Sequence, residues 1–258
     1  MLRMKPPKTP EEDAPDGQAP LPRSLGSIGS RGGPTLLCIG GLHGNEPSGV
    51  LGLRRVLLEL DLDTTGLVGR VAAFVGNRAA LAIGERFVDA DMNRVWTKER
   101  LESVRAGANL LASEEQEMLE LLAELEAELA DAPRAKIVDM HSTSGGGPAF
   151  INLDDSLANR AMARAVPVPH VLGLEEEIAG TLVGFFNEQG VTGIGFEAGQ
   201  HDADESVDRA EAAVWLLMEV TGVLERGVRP EVAAARRLLE VSSRVRSGLV
   251  EVRYRHGI

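Results

Sequence analysis

Apolar residues recur along this chain with two spacings. Thr35 to Ile39 is a short, nearly unbroken apolar run, the pattern of a strand buried on both faces. From Pro47 to Leu60 the period lengthens, and Val50, Leu53, Leu57 and Leu60 fall on one face of a helix. Val68 to Val75 reads as a second strand and Asn77 to Ile83 as a short helix or turn. Ser113 to Ala130 carries the clearest helical stripe, made of Met118, Leu121, Leu122, Leu125 and Leu129. Ser113 and Gln116 have capping-box spacing at its start, and its many glutamates are expected on a solvated face. Lys136 to Met140 and Val191 to Phe196 are further buried strands, the first followed by a Ser/Thr/Gly loop. Glu205 to Val223 and Glu231 to Leu239 read as helices, and Leu249 to Tyr254 alternates as a final strand. Strands alternating with helices predict an α/β fold: a mixed, mostly parallel sheet with helices on both faces.

The first 33 residues lack such periodicity. Seven of the 13 prolines fall at or before Pro34, interleaved with Gly, Ser and charge. A stretch of this kind buries too little apolar surface to offset chain entropy, so residues 1–33 are expected to be disordered and residues 34–258 to form one globular unit. A net charge of -12 argues against nucleic acid or an anionic membrane as a partner, and no apolar run reaches the ~20 residues that span a bilayer. Cys38 is the single cysteine and sits inside an apolar run, so it reads as a small buried hydrophobe in a reducing compartment. With no apolar leader at the N-terminus, the expected location is cytoplasmic.

Chemistry gathers at the ends of the expected strands, where α/β sheets collect their ligands. Gly40-Gly41-Leu42-His43-Gly44-Asn45-Glu46-Pro47 follows the first strand, His141 follows Ile137-Val138-Asp139-Met140, and Glu197 follows Ile194-Gly195-Phe196. Two histidines and one glutamate, His43, Glu46 and His141, can bind Zn2+ and leave a fourth position for water. Such an ion lowers the pKa of the water and polarises a carbonyl. Glu197 is the candidate to take the water's proton and pass it to a leaving amine. Asp139 lies two residues before His141 on the same strand face, where it can accept a hydrogen bond from a metal-bound imidazole. A further polar cluster runs from Arg86 to Arg94; its arginines suit carboxylate binding and Asn93 adds a neutral donor.

At these residues the chain resembles the succinylglutamate desuccinylase and aspartoacylase family, a branch of the zinc carboxypeptidase superfamily. The motifs carrying the resemblance are Gly41-Leu42-His43-Gly44-Asn45-Glu46, Asp91-Met92-Asn93-Arg94, Asp139-Met140-His141 and Glu197-Ala198-Gly199, in that order. The resemblance implies a zinc-carboxypeptidase-like fold from about Thr35 onward and one zinc ion per chain, held by His43, Glu46 and His141. It implies that Glu197 is the general base and proton shuttle, that Arg86 polarises the substrate carbonyl, and that Asn93 and Arg94 hold the carboxylate of the amino-acid part. The implied reaction is hydrolysis of the amide bond of an N-acyl amino acid.

Two departures accompany it. Aspartoacylases carry a further arginine shortly before the catalytic glutamate, whereas Gly184-Phe185-Phe186-Asn187-Glu188-Gln189-Gly190 has no basic residue, which speaks against an N-acetylaspartate-like substrate. Many members also carry a C-terminal β domain, and this chain stops about where that domain starts, so the domain is expected to be absent or truncated. Related readings of the same constellation are a zinc carboxypeptidase acting on peptides and a noncatalytic binding protein, and a homo-oligomer is compatible with either. Of the other histidines, His170 is expected to be structural, His201 stands near enough to Glu197 in sequence to line a pocket, and His256 lies at an end expected to fray.

Overall fold

The computed structural model describes residues 21–106, 113–132, 134–174, 178–243 and 248–252. In chain order the elements are β1 (Ser24–Gly29), β2 (Thr35–Gly40), α1 (Ser48–Leu62), β3 (Arg70–Val75), α2 (Arg78–Ile83), a 3-10 turn (Met92–Arg94), α3 (Lys98–Arg105), α4 (Ser113–Ala130), β4 (Lys136–Thr143), β5 (Phe150–Leu153), α5 (Leu157–Ala163), β6 (His170–Leu172), α6 (Leu182–Glu188), β7 (Thr192–Gln200), α7 (Asp204–Val220), α8 (Pro230–Ser243) and β8 (Leu249–Glu251). The eight strands form one sheet in the order β1-β3-β2-β4-β7-β5-β6-β8. Five of the seven pairings are parallel; β1 with β3 and β5 with β7 are antiparallel. The fold is the expected mixed, mostly parallel α/β sheet.

β2 and β4 lie inside the sheet with strands on both sides, which explains their apolar sequences: every residue of β2 is buried. Alternate residues feed two cores. Leu36, Cys38, Val138, Met140, Ile194 and Phe196 pack with α1, α7 and α8 on one face. Leu37, Ile39 and Ile137 pack with α4 and α6 on the other. Cys38 is wholly buried, and burial pushes its thiol pKa up, as befits a core residue.

Two expectations need correction. Ser24–Gly29 lies inside the segment expected to be disordered, yet it forms β1, in antiparallel register with β3 from Ser24↔Phe74 to Gly29↔Arg70. Four of its six residues are Ser or Gly, so local composition hides it. What orders it is a partner strand, the packing of Leu25 and Ile28 on the core, and buried Arg23. The Arg23 guanidinium ion-pairs with Glu117 and donates to the carbonyls of Val75 and Gly76.

The second correction concerns α4. Its glutamates do not form a uniformly wet face: Glu114, Glu115, Glu117 and Glu128 are buried. Each has a partner: Arg100 pairs with Glu115, Arg23 and Arg78 with Glu117, and Arg70 with Glu128, while Glu114 accepts from the amides of Val88, Asp89 and Ala90. Nor does a capping box close the helix start, because the Ser113 amide donates to Asp89 at 2.8 Å and Gln116 donates to Glu120 at 3.2 Å. Charge patterning along one helix cannot reveal cations that arrive from other elements of the chain. The final strand is described over Leu249–Glu251, and Tyr254 and His256 lie outside the described residues.

Candidate metal centre

The loop after β2 brings the first two polar groups in. Gly41 turns the chain with φ 68°, a conformation that favours glycine. At Gly44 a Cβ would stand 2.1 Å from the backbone of Ala80, so only glycine lets the loop lie this close to α2. Its amide donates to the Arg86 carbonyl at 3.2 Å, which ties the His43 loop to the Arg86–Arg94 loop. His43 and Glu46 are both buried.

β4 and β7 extend beyond their expected ends, so His141 and Glu197 lie within strands rather than after them. They are direct parallel partners in register, and their side chains therefore share one face, on the α4 and α6 side of the sheet. A shift in register follows immediately, between His141 and Thr143.

The arrangement of acceptors and donors is specific. His43 Nδ1 lies 3.0 Å from Glu46 Oε1, and His141 Nδ1 lies 2.9 Å from Glu46 Oε2. The far nitrogens face carboxylates: His43 Nε2 is 2.9 Å from Asp91 Oδ1, and His141 Nε2 is 2.8 Å from Asp139 Oδ2. An ionised carboxylate only accepts, so the Nε2–H of each ring donates to Asp91 or Asp139, and an ion taken up between the rings would replace the Nδ1 hydrogens that face Glu46 and use those lone pairs. One ligand atom from each of His43, Glu46 and His141 lies within 4.8 Å of the others, so the group could hold a metal ion. The Ser142 amide also donates to Glu46 Oε2 at 3.1 Å.

Charge is balanced by these contacts. Burial by itself raises the Glu46 carboxyl pKa, but hydrogen bonds and positive charge from His141 and His43 override it and hold the group well below the usual carboxylate range. Asp91 follows the same pattern, with His43 and Arg86 outweighing its burial. For His141, burial works against the charged ring, yet Asp139 and Glu46 raise its pKa well above the ordinary value. Glu197 behaves in the opposite sense: burial pushes its carboxyl up to about 7, against the opposing charge of His141. Its Oε2 is hidden from solvent and makes no hydrogen bond within the protein.

The Arg86–Arg94 segment divides. Arg86 reaches the cluster, donating to Glu46 Oε1 at 3.3 Å and to Asp91 Oδ2 at 2.9 Å. Asn93 stands on the 3-10 turn with its Oδ1 accepting from the Leu182 amide at 2.8 Å, at the start of α6. Arg94 is exposed and donates to the Asn93 carbonyl, so it stands apart from buried His43, Glu46 and His141. His170 is part-buried, with its Nε2 3.5 Å from the Val166 carbonyl, and does not join the cluster. His201 Nδ1 meets Ser142 Oγ at 2.8 Å, one residue beyond His141.

Two residues have roles that spacing did not disclose. Asp91 belongs to a recognisable motif, but its partner His43 is 48 residues away. Glu114 has no exposed surface, and its carboxylate accepts from the amides of Val88 (2.6 Å), Asp89 (3.1 Å) and Ala90 (3.1 Å) and from Asn77 Nδ2 (3.0 Å). It thereby fixes the backbone between Arg86 and Asp91. The only sequence signal was the polar start of α4.

Comparison with known proteins agrees with this geometry. Residues 32–218 match the family model described as succinylglutamate desuccinylase/aspartoacylase catalytic domain. A probable aspartoacylase of Synechococcus sp. (strain CC9605) is 32% identical over 169 residues, covering 64% of this chain and 52% of the relative. A succinylglutamate desuccinylase of Pseudomonas aeruginosa (strain LESB58) is 39% identical over 70 residues, covering 27% of this chain and 21% of the relative. The chain thus spans about half, or less, of the length of these curated relatives. Among solved structures, a succinylglutamate desuccinylase from Vibrio cholerae aligns with TM-score 0.61 at 15% identity, over 78% of this chain and 59% of that one. The product-bound ectoine utilization protein EutE (DoeB) from Ruegeria pomeroyi aligns with TM-score 0.60 at 20% identity, over 87% and 63%. At such identities the structures establish the fold alone. Among the described residues no helix is long and apolar enough to cross a membrane. With the family model covering most of the chain and the four motifs gathered around one buried cluster, the chain belongs to the succinylglutamate desuccinylase/aspartoacylase family.

Proposed function

We propose that this chain carries the catalytic site of a zinc-dependent hydrolase that cleaves the amide bond of an N-acyl amino acid. The observation that supports it most is the convergence of His43 Nδ1, Glu46 and His141 Nδ1, with Glu197 paired in register beside His141. The donor set fits zinc: two imidazoles whose outer nitrogens are held by Asp91 and Asp139, and one carboxylate. Held by His43, Glu46 and His141, the ion would supply Lewis acidity, polarising a carbonyl and acidifying water.

The chain's own groups do the rest. Glu197, poised at about 7, takes a proton from the attacking water and returns it to the departing amine nitrogen. Arg86 stands against Glu46 and Asp91 and donates to the carbonyl oxygen as it gains negative charge. Asn93 and Arg94 bind the carboxylate of the amino-acid part. Asp91 and Asp139 keep the two imidazoles in one tautomer and orientation.

The test is a panel of N-acyl amino acids and short peptides given to zinc-loaded protein, with Glu197→Ala as control. We expect turnover of N-acyl amino acids, and a loss of about 10²–10⁴-fold in kcat for the variant. Turnover of peptides alone, or failure of the purified protein to take up about one zinc per chain at neutral pH, would overturn the proposal.

A further inference from the structure

A groove of about 560 Å³ opens beside Glu197, away from the arginine loop, and is lined by Thr143, Pro148, Phe150, Val171 and Val250 together with the Gly145–Gly147 turn. Its position follows from register. Phe150 on β5 is the direct partner of Glu197 on β7, and Ile151 is the partner of Phe196. Ile151 and Phe196 are buried in the α1 and α7 core, so Phe150 and Glu197 share the opposite face, the one that carries His141. Val171 pairs with Asn152, two residues on from Phe150, and Val250 pairs with Val171, so the same face continues outward across β6 to β8.

The polar groups of the site therefore lie along one line across the sheet. The Arg86–Arg94 loop adjoins the His43 turn after β2, followed by His141 on β4, Glu197 on β7 and the groove over β5, β6 and β8. Among the described residues no Asp, Glu, Lys or Arg lines the groove. Arg209 comes near from α7 on the other face, but its Nη1 points to the carbonyls of Gly147 (3.4 Å) and Ala198 (3.3 Å). A carboxylate placed against this apolar lining would lose water and meet no cation among the described residues, whereas methylenes would gain from burial.

We propose that this groove holds the acyl part of the substrate and that the acyl group is uncharged and apolar, such as a butyryl-to-hexanoyl or aromatic group, rather than a dicarboxylic one. This deepens the N-acyl amino-acid reading and rests on it. With the amino-acid carboxylate at Asn93 and Arg94, an amide held beside Glu197 would direct its acyl chain across β7 toward Phe150, the direct partner of Glu197.

The experiment compares N-acetyl, N-butyryl, N-hexanoyl and N-succinyl forms of one amino acid on the zinc-loaded full chain. It also measures hexanoate and succinate binding by calorimetry. At about 0.8 kcal/mol per buried methylene, kcat/KM is expected to rise about fourfold per methylene, and butyryl to exceed succinyl by at least about tenfold. Phe150→Ala should flatten the chain-length series. Val250→Lys, at a site more than half exposed and so tolerant of charge, should narrow the butyryl-to-succinyl ratio. Succinyl turned over as well as butyryl, with both variants like wild type, overturns the groove proposal and leaves the hydrolase reading standing. Hexanoate binding that Phe150→Ala abolishes, with no amide turned over, supports the groove and overturns the hydrolase reading. Absence of hexanoate binding together with no chain-length dependence also overturns the groove.

Discussion

Replacing Glu114 tests whether a residue remote from the reacting atoms controls the site. Its buried carboxylate accepts four hydrogen bonds, three of them from consecutive amides, Val88 to Ala90. A hydrogen bond to a charged group contributes about 1.5–3 kcal/mol, so four independent ones would sum to roughly 6–12 kcal/mol. That sum is an upper bound, because Val88 and Asp89 are exposed and water can reach their amides once the carboxylate is gone. We expect Glu114→Ala to cost about 3 kcal/mol. Glu114→Gln keeps one acceptor oxygen and should cost about 1–2 kcal/mol.

The functional effect arises because this segment carries Arg86 at one end and Asp91 at the other, and these touch Glu46 and His43. A displacement of about 1 Å in such groups reduces activity about 10²-fold. Urea unfolding followed by circular dichroism gives the stability change, and kcat/KM on zinc-loaded protein gives the second. Hydrogen exchange at residues 88–90 reports the loop directly. A stability loss below about 1 kcal/mol for Glu114→Ala, with residues 88–90 as protected as in wild type, would refute the reasoning.

Three further outcomes follow from the same geometry. Burial raises the Glu197 carboxyl from 4.5 to about 7, so the folded metal-free protein holds a proton that the unfolded chain has released. Its stability therefore falls by about 3 kcal/mol as pH rises from 4.5 through 7, and metal-free Glu197→Gln should be more stable than wild type at pH 8 in a thermal melt; equal stability there defeats the assignment. In the zinc-loaded enzyme the acid limb of kcat/KM should lie at or below about 7, since a neighbouring cation favours the carboxylate. Asp139→Asn, which loses the carboxylate facing His141 Nε2, should weaken zinc affinity about 10–100-fold in a competition assay with a chelating dye, and unchanged affinity would count against its orienting role. Arg23→Met leaves Glu117 buried without one of its two cationic partners and should destabilise the fold by about 3 kcal/mol in urea, whereas a change under about 0.5 kcal/mol would show that β1 is held by strand pairing alone.

Much of the fold and of the cluster was legible in the chain itself. The apolar run at Thr35–Ile39 could only be a buried strand, and helical periodicity marked α1, α4, α7 and α8, because these signals are local. The approach of His43, Glu46, His141 and Glu197 was legible too, since each stands at or near the carboxyl end of a strand that periodicity identifies. Asp139 was readable from its two-residue offset, which puts it on the face of His141.

What remained needed contacts between distant segments. β1 exists because β3 lies beside it, and nothing in Ser24–Gly29 taken alone specifies a strand. Buried Glu115, Glu117 and Glu128 of α4 are satisfied by arginines on α3, α2 and β3 and in the chain before β1, so a helix that looked wet on one side is an electrostatic clamp. Asp91 and Glu114 took their roles from partners 48 residues away and 24–37 residues away. The groove beside Glu197 depends on the antiparallel register of β5 against β7, which joins residues 47 positions apart. The sequence by itself determined which groups can hold a metal and move a proton, because that follows from residue type and strand position. Only the tertiary structure decided what orients those groups and what lies next to them, because hydrogen bonds and burial depend on which chain segments meet.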